Sequence, residues 1–422
     1  MEKSVFIKRR KALSEKLADQ SFALFASGQA KHKSLDQNFK YFPNRNFYYL
    51  TGLKRENFIL LLARNKLANL EYIFIEEPSD YATKWLGKRM TKAEVSEVSG
   101  INEKHIHYLK DFDEFLGNKF LLDSRNLLLD KLPKYIYLDM FRTKYMKKPI
   151  SLEFFGKILD NYPELTIEDV NKIVSDMRRV KSISEVEEIK KAIEYTKKGI
   201  YSILDYAKPK INERELEATF EYNIKLAGSS GMAFDTIVAS GKNATVLHYT
   251  ENDQIINDNE LVLLDLGAYS NEYPGDISRT FPINGKFTKT QKQYYQMVLD
   301  VNKETIKRVK PGIYVKELND FAKDKLAEGL INLNIIKDKS EISKYYYHGV
   351  SHYLGLDVHD VGTYSKKIEP GVVLTVEPGI YIEEEKIGIR IEDDILVTED
   401  GYENLSKDII KEIDDIEEYM NK

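Results

Sequence analysis

The chain has 422 residues, 42% hydrophobic and 31% charged, with 28 Tyr, 19 Phe, no cysteine and a formal net charge of −5 at pH 7. That length exceeds what one hydrophobic core ordinarily organises, so two domains are expected, and the interleaved, nearly balanced charge speaks against a nucleic-acid or membrane-surface partner. The missing cysteines exclude disulfides, thiolate nucleophiles and Cys-ligated zinc or iron–sulfur centres, so any metal must use oxygen and nitrogen ligands.

The first ten residues, Met1 to Arg10, are charged without a following apolar run, and no stretch approaches the ~18 apolar residues of a membrane span. A cytoplasmic protein is expected. Phe22–Phe25, Phe58–Leu62, Tyr72–Ile75 and Phe120–Leu122 read as buried strands between amphipathic charged segments, which predicts an α/β domain over 1–171. The pattern weakens after 150 and resumes with a periodic helix, so a second domain is expected over 172–422. Ser184 with Glu187 reads as the capping box of that helix, which should run to about 206, followed by a helix over 213–227 and a strand region over 234–249.

Two later segments share a grammar of acid, Gly two residues on and Tyr two further: Asp265-Leu-Gly267-Ala-Tyr269 and Glu377-Pro-Gly379-Ile-Tyr381. Asp276 follows the first acid and Glu392 the second. In a regular antiparallel hairpin opposed residues have a constant sum of numbers and share a face. Asp265 opposite Asp276 would put a turn between Ser270 and Asn271; Glu377 opposite Glu392 would put one between Glu384 and Glu385, in the short acidic stretch Glu383-Glu384-Glu385-Lys386. One Asp alone is ordinarily a solvated loop residue. Two acid pairs flanked by Leu263, Leu264, Leu266, Val376 and Ile391 need cations, either metal ions or an ion-pair network with Arg279 and Arg390.

Only seven histidines occur, and His248, His348, His352 and His359 all fall in this half. His348 and His352 have helical spacing, but Gly349 and Gly355 argue for a loop. Tyr345-Tyr346-Tyr347, just before it, reads as a strand packing aromatics. One histidine with four carboxylates is a hard, oxygen-rich set suited to two divalent ions, Mn²⁺ first, with Co²⁺, Fe²⁺ or Zn²⁺ as substitutes. Such a pair could share a bridging hydroxide and polarise a carbonyl, the chemistry of amide or ester hydrolysis.

Six ordered motifs carry a resemblance: Leu247-His248-Tyr249-Thr250-Glu251-Asn252, Gly275-Asp276-Ile277-Ser278-Arg279-Thr280-Phe281, His348-Gly-Val-Ser-His352, Asp357-Val-His359-Asp360, Leu374-Thr-Val-Glu377-Pro-Gly379 and Gly388-Ile-Arg390-Ile-Glu392-Asp393-Asp394. The sequence resembles the aminopeptidase P family, and Asn44-Arg45-Asn46-Phe47-Tyr48-Tyr49-Leu50-Thr51-Gly52 with Trp85-Leu-Gly-Lys-Arg89 extends the likeness to the N-terminal half. The resemblance implies a creatinase/aminopeptidase P type N-terminal α/β domain, serving oligomerisation and the active-site rim, and an α+β pita-bread catalytic domain.

By that resemblance, Asp265 chelates one metal, Asp276 and Glu392 bridge both, and His352 with Glu377 completes the second. His248 and His359 stabilise the oxyanion and assist proton transfer, His348 lines the pocket beyond the cut, and Arg390 orients Glu392 or substrate. The expected substrates are peptides with N-terminal Xaa-Pro, and the expected assembly is a homodimer or homotetramer in which Trp85 closes a neighbour's site. An Xaa-Pro dipeptidase is the alternative activity. A non-catalytic pita-bread binding module, or a metal-free relative resembling creatinase, would ordinarily have lost the ligands, and a methionine aminopeptidase would not carry the N-terminal domain.

Overall fold

The computed structural model describes the chain apart from residues 67, 123–126 and 145–147 and the side chains of 82 and 86. It divides into two units, Met1–Met177 and Arg178–Lys422, a division that lies inside the helix Asn171–Arg179; the sequence-based junction was 171/172.

The N-terminal unit is built on a six-stranded mixed sheet in the order 106–108, 69–75, 59–64, 21–26, 135–138, 166–169. Ser21–Ala26 is buried at every position because it is central: it pairs antiparallel with Ile59–Arg64 and parallel with Tyr135–Leu138. A strand covered on both faces reads as an unbroken apolar run. The motif from Asn44 to Gly52 is a helix, Arg45–Thr51, whose first turn is closed by the Asn44 side chain accepting from Phe47 N. Phe120–Leu122 is not a strand. Its first two residues end a helical segment, Phe112–Leu116 continued by Gly117–Leu121, and three apolar residues are too few for periodicity to separate the two states. Trp85 lies on the helix Asp80–Leu86 and is 74% exposed, its ring 6.2 Å from that of Tyr81.

In the C-terminal unit the long helix Ile183–Tyr206 starts two residues earlier than expected, with Ser182 as N-cap and Glu185 completing the box. Both serines have a glutamate three residues on; Glu185 wins because it is buried and takes the Tyr273 hydroxyl at 3.0 Å. The helix Glu213–Leu226 follows. Of the expected strand region 234–249 only Ile237–Ser240 pairs, and a 3₁₀ turn over Gly241–Thr245 takes the chain away. Ile237–Ser240 and Ile277–Pro282 flank Leu261–Leu266 in one antiparallel sheet; Val373–Val376, Asp393–Val397 and Tyr402–Asn404 form a second. Helices Lys289–Ile306 and Val315–Asn332 lie between these sheets in the chain. Tyr345–Tyr347 follows a 3₁₀ turn, Lys339–Lys344, and is not a strand, although Tyr346 is buried. Among the described residues no helix is long and apolar enough to cross a membrane.

Both acid segments are hairpins, and each is interrupted at the acid-x-Gly step. Leu261–Leu266 pairs with Ile277–Pro282 and, beyond a gap, Tyr269–Ser270 pairs with Tyr273–Pro274. Val373–Val376 pairs with Asp393–Val397 and, beyond a gap, Gly379–Ile382 pairs with Ile387–Arg390. The glycines are required at the gaps: a Cβ on Gly267 would lie 1.9 Å from the Gly275 carbonyl oxygen, and one on Gly379 would lie 2.8 Å from that of Ile389.

The second register is the expected one, since Val376↔Asp393 and Gly379↔Arg390 set Glu377 opposite Glu392. The first differs. Asp265 faces Ser278, and the same register sets Asp276 opposite Gly267. The reason is the turn, a two-residue Asn271-Glu272 step with φ of 44° and 70°, centred one residue later than the midpoint between Ser270 and Asn271. A shift of two in register keeps the face, so the two acids remain neighbours on it.

Candidate metal centre

The interruptions explain why the four acids gather. Asp276, Glu377 and Glu392 sit in the gaps, where the backbone ladder is open, and Asp265 lies in the paired strand one residue before the first gap, so side chains from both hairpins can turn to one place. The strand Ile277–Pro282 runs along the second hairpin, with Glu392 N donating to Ser278 O at 3.0 Å and Thr280 Oγ1 donating to Arg390 O at 3.1 Å.

Asp276, His352 and Glu392 each offer a ligand atom within 4.8 Å of the other two. His352 Nε2 stands 3.4 Å from Asp276 Oδ2 and 3.5 Å from Glu377 Oε1. The loop carrying His352 is held to the second hairpin by Thr375 N donating to His352 O at 2.9 Å and Glu377 N donating to Val350 O at 2.8 Å. Asp265 joins through Arg390, whose Nη2 donates to Asp265 Oδ2 at 2.6 Å.

The electrostatics of these groups are those of a cation site. Burial pushes Glu377 up to about 7 and Glu392 well above the carboxylate range, and the neighbouring acids push the same way. Asp265 is raised by burial and by Asp276 despite the Arg390 guanidinium. Burial alone would lower His352, but Asp276 and Glu377 overcome it and raise the ring to about 9. These are the shifts expected when carboxylates crowd around less positive charge than they need.

The donor set fits divalent metal on further grounds. Asp265 Oδ1 is buried without a hydrogen-bond partner. His352 Nδ1 donates to the Tyr353 carbonyl oxygen at 3.1 Å, the contact that fixes the ring and turns Nε2 toward the acids.

The remaining histidines have other surroundings. His348 has both nitrogens engaged, Nδ1 with Gly349 O and Nε2 with the Tyr381 hydroxyl, each at 2.8 Å; burial first, and Arg390, lower its pKa to about 4. With Nδ1 donating, Nε2 accepts from Tyr381. His359 packs its ring 4.2 Å from that of His352. His248 is exposed, yet near enough for its charge to depress both His348 and His359.

Residues 187–399 match the model of metallopeptidase family M24, and residues 6–129 match the aminopeptidase P N-terminal domain. The chain belongs to metallopeptidase family M24. This M24 chain is 32% identical to the Xaa-Pro aminopeptidase of Escherichia coli, over 98% of its own length and 97% of that protein's. Its structure resembles a putative aminopeptidase P from Bacillus anthracis, with TM-score 0.95 and 46% identity over 100% and 99% of the two chains. A Zn-substituted E. coli aminopeptidase P in complex with product gives TM-score 0.89 and 31% identity over 100% and 98%. The M24 protein is therefore a metal-dependent aminopeptidase with an aminopeptidase P N-terminal domain and an α+β pita-bread catalytic domain, as the sequence motifs implied.

Sequence reasoning left four residues of this M24 site unassigned. Ser278 receives Arg390 Nε at 2.8 Å and donates to Glu392 Oε2 at 2.7 Å, so Arg390 pairs with Asp265 directly and reaches Glu392 only through that hydroxyl. Tyr381 takes Arg390 Nη1 at 3.1 Å; its place in the repeated acid-x-Gly-x-Tyr grammar was the available signal. Asp394 accepts from Asp276 N at 3.1 Å. Asp393 takes Arg279 Nη2 at 2.8 Å and also the Lys411 ammonium, so Arg279 braces the strand behind Glu392.

Proposed function

We propose that this aminopeptidase removes the N-terminal residue from peptides with proline in the second position, using two divalent ions, for which the oxygen-rich ligand set suits Mn²⁺ first. Asp265, Asp276, His352, Glu377 and Glu392 are the ligands in this reading. Asp265 would hold one ion and His352 with Glu377 the other, with Asp276 and Glu392 shared between them. The observation that carries it is the convergence of these acids from two separate hairpins around His352 Nε2, with Asp276, His352 and Glu392 inside one 4.8 Å group. The E. coli relative that matches nearly end to end is an Xaa-Pro aminopeptidase.

The ions supply a water acidic enough to attack near neutral pH and a Lewis acid for the scissile carbonyl. The protein's own groups do the rest. An Xaa-Pro bond has no N–H, so a site that needs that donor cannot engage it, and recognition must fall on the carbonyl, the free α-amine and the ring. The departing proline nitrogen has to gain a proton, which Glu377 or a nearby histidine would deliver after taking one from the attacking water; Glu377 Oε2 lies 3.6 Å from His348 Nδ1. His348, held between Gly349 O and Tyr381, presents a fixed ring face to the proline side of the cut. His248 and His359 stabilise the developing oxyanion. Arg390 holds Asp265 and, through Ser278, orients Glu392.

A homodimer or homotetramer belongs to the same reading, with the exposed Trp85 offered to a neighbour's site, as does a cytoplasmic location. The test is cleavage by the Mn²⁺-loaded protein of Xaa-Pro, Xaa-Pro-Yaa-Zaa and Xaa-Ala-Yaa-Zaa peptides. Release of the first residue from the proline tetrapeptide, with the alanine peptide spared, is expected. Turnover of the dipeptide alone would instead mark an Xaa-Pro dipeptidase.

A further inference from the structure

We infer that Glu213 is a positioning residue for His248, acting through the arch of chain that carries it. The inference rests on the role given to His248 above. Glu213 opens the helix Glu213–Leu226 and has no solvent exposure. Its Oε1 accepts from Ser240 N and Ser240 Oγ, both at 2.7 Å, and from Asn243 Nδ2 at 3.2 Å. Its Oε2 accepts from the Tyr249 hydroxyl at 2.8 Å and from Gln254 N at 3.1 Å. The donors lie on both sides of His248 in the chain, so one carboxylate ties the ascending and descending limbs of residues 240–254 together.

The arch has other braces, and none takes over this one. Asn252, buried, accepts from Val238 N at 3.0 Å and donates to Thr236 O at 2.8 Å, fixing the descending limb to the sheet edge. The Tyr347 hydroxyl donates to Thr245 O at 2.8 Å, with its ring 5.2 Å from that of Tyr381, tying the ascending limb toward the site. Between the limbs stands Glu213. His248 is left exposed within the arch, with its neighbour Tyr249 anchored on the carboxylate.

Only a carboxylate satisfies this set of donors, because both oxygens must accept and neither may donate. A glutamine would direct its NH₂ at the Ser240 amide or at the Gln254 amide, leaving a buried backbone donor unpaired. The anion is also well placed at the first turn of its helix, where exposed N–H groups favour negative charge. Five hydrogen bonds on a residue outside the candidate metal centre are more than the helix cap needs, since Asn212 already accepts from Arg214 N. The geometry is that of a part whose load is the position of the arch.

The test uses the metal-loaded full chain as Glu213→Gln, His248→Ala and the double variant, with melting temperature and amide exchange over residues 244–254 measured beside kinetics on an Xaa-Pro tetrapeptide. Misplacing a catalytic group costs about 100-fold in rate. We expect Glu213→Gln to lose on the order of that factor in kcat with KM and metal content unchanged, to speed exchange in the arch, and to add nothing when His248 is already alanine. A folded Glu213→Gln protein with wild-type kcat overturns the inference. So does a loss that multiplies with that of His248→Ala, which would mean that Glu213 acts elsewhere. Should Glu213→Gln fail to fold, Tyr249→Phe removes one donor and must show the same kcat-only loss, smaller and again absent in the His248→Ala background; wild-type kcat there overturns the inference equally. Wild-type kcat in His248→Ala alone would remove the role assigned to that histidine, an outcome separate from the failure of Glu213.

Discussion

The two hairpins at the site are built to one plan and closed differently. Each breaks its ladder at acid-x-Gly, and each places its second acid beside the break, so the same step in both makes room for carboxylates. The turns diverge: Asn271-Glu272 closes the first in two residues, whereas the second takes a 3₁₀ turn, Glu383–Glu385, and ends on Lys386 at φ 58°. As a result Glu377 and Glu392 are directly opposed while Asp265 and Asp276 are offset by two. The braces are exchanged between the halves. Arg390 of the second hairpin holds Asp265 of the first, Ser278 of the first holds Glu392 of the second, and Asp394 of the second accepts from the Asp276 amide. Duplication supplies the acids; the exchange locks the halves at the spacing where those acids meet.

If Asp276 and Glu392 are equivalent in function, as their places beside the two gaps suggest, removing either should have the same and the largest effect. Asp276→Ala and Glu392→Ala are each expected to abolish turnover and to lose bound metal by elemental analysis, with excess Mn²⁺ restoring neither. A variant that keeps near-normal turnover, or one of the pair that keeps its metal while the other does not, would break the equivalence.

The exchanged braces come next in size. Arg390→Ala strips the support from Asp265 and should lower metal affinity and kcat/KM by about 10- to 100-fold, the cost of losing a group that orients a ligand. Added metal should recover part of that loss, because the ligand itself remains. Ser278→Ala removes the hydroxyl between Arg390 and Glu392 and is expected to fall at or below the lower end of the same range. A Ser278→Ala loss larger than that of Arg390→Ala would show the second hairpin's support to be the more important of the two.

These braces also mark where sequence reading stops. The acid pairs were visible because their spacing is local: 265 to 276 and 377 to 392 are within hairpin reach, and register arithmetic needs nothing else. It placed Glu377 opposite Glu392 and missed the first register by two, since the midpoint of a polar stretch does not reveal that Asn271 and Glu272 both adopt positive φ. The central strand Ser21–Ala26 was legible as an unbroken apolar run. Phe120–Leu122 looked the same, yet Phe120 and Leu121 end a helical segment and Leu122 is exposed; three apolar residues are too few for periodicity to separate the two states. The choice of Ser182 over Ser184 as helix cap depended on Tyr273 reaching Glu185, and the end of the strand at Ser240 on Glu213 capturing its amide. Those partners are far apart in the chain, as are Arg390 and Asp265, and nothing in local pattern connects them.

The smallest expected effect separates the two tyrosines of the repeated grammar. Tyr381 and Tyr269 occupy the same place after their acids, and Tyr381 reaches the site, donating to His348 Nε2 and accepting from Arg390. Its fully buried hydroxyl is held neutral by burial in spite of that guanidinium, so it stays a donor throughout the working pH range. Tyr269 is half-buried, and its carbonyl accepts from Ser229 Oγ at 2.8 Å. Tyr381→Phe keeps the ring that packs on Tyr347 and deletes only the hydroxyl. It leaves His348 Nε2 without its donor and frees the ring to turn about the bond held by Gly349 O. The loss of one such bond to a buried neutral acceptor corresponds to about 1 kcal/mol, or roughly fivefold in kcat/KM. Tyr269→Phe should change it by less than twofold. Equal losses in the two variants would mean that the second tyrosine is kept for hairpin packing alone, and that His348 is oriented by Gly349 without help from the far strand.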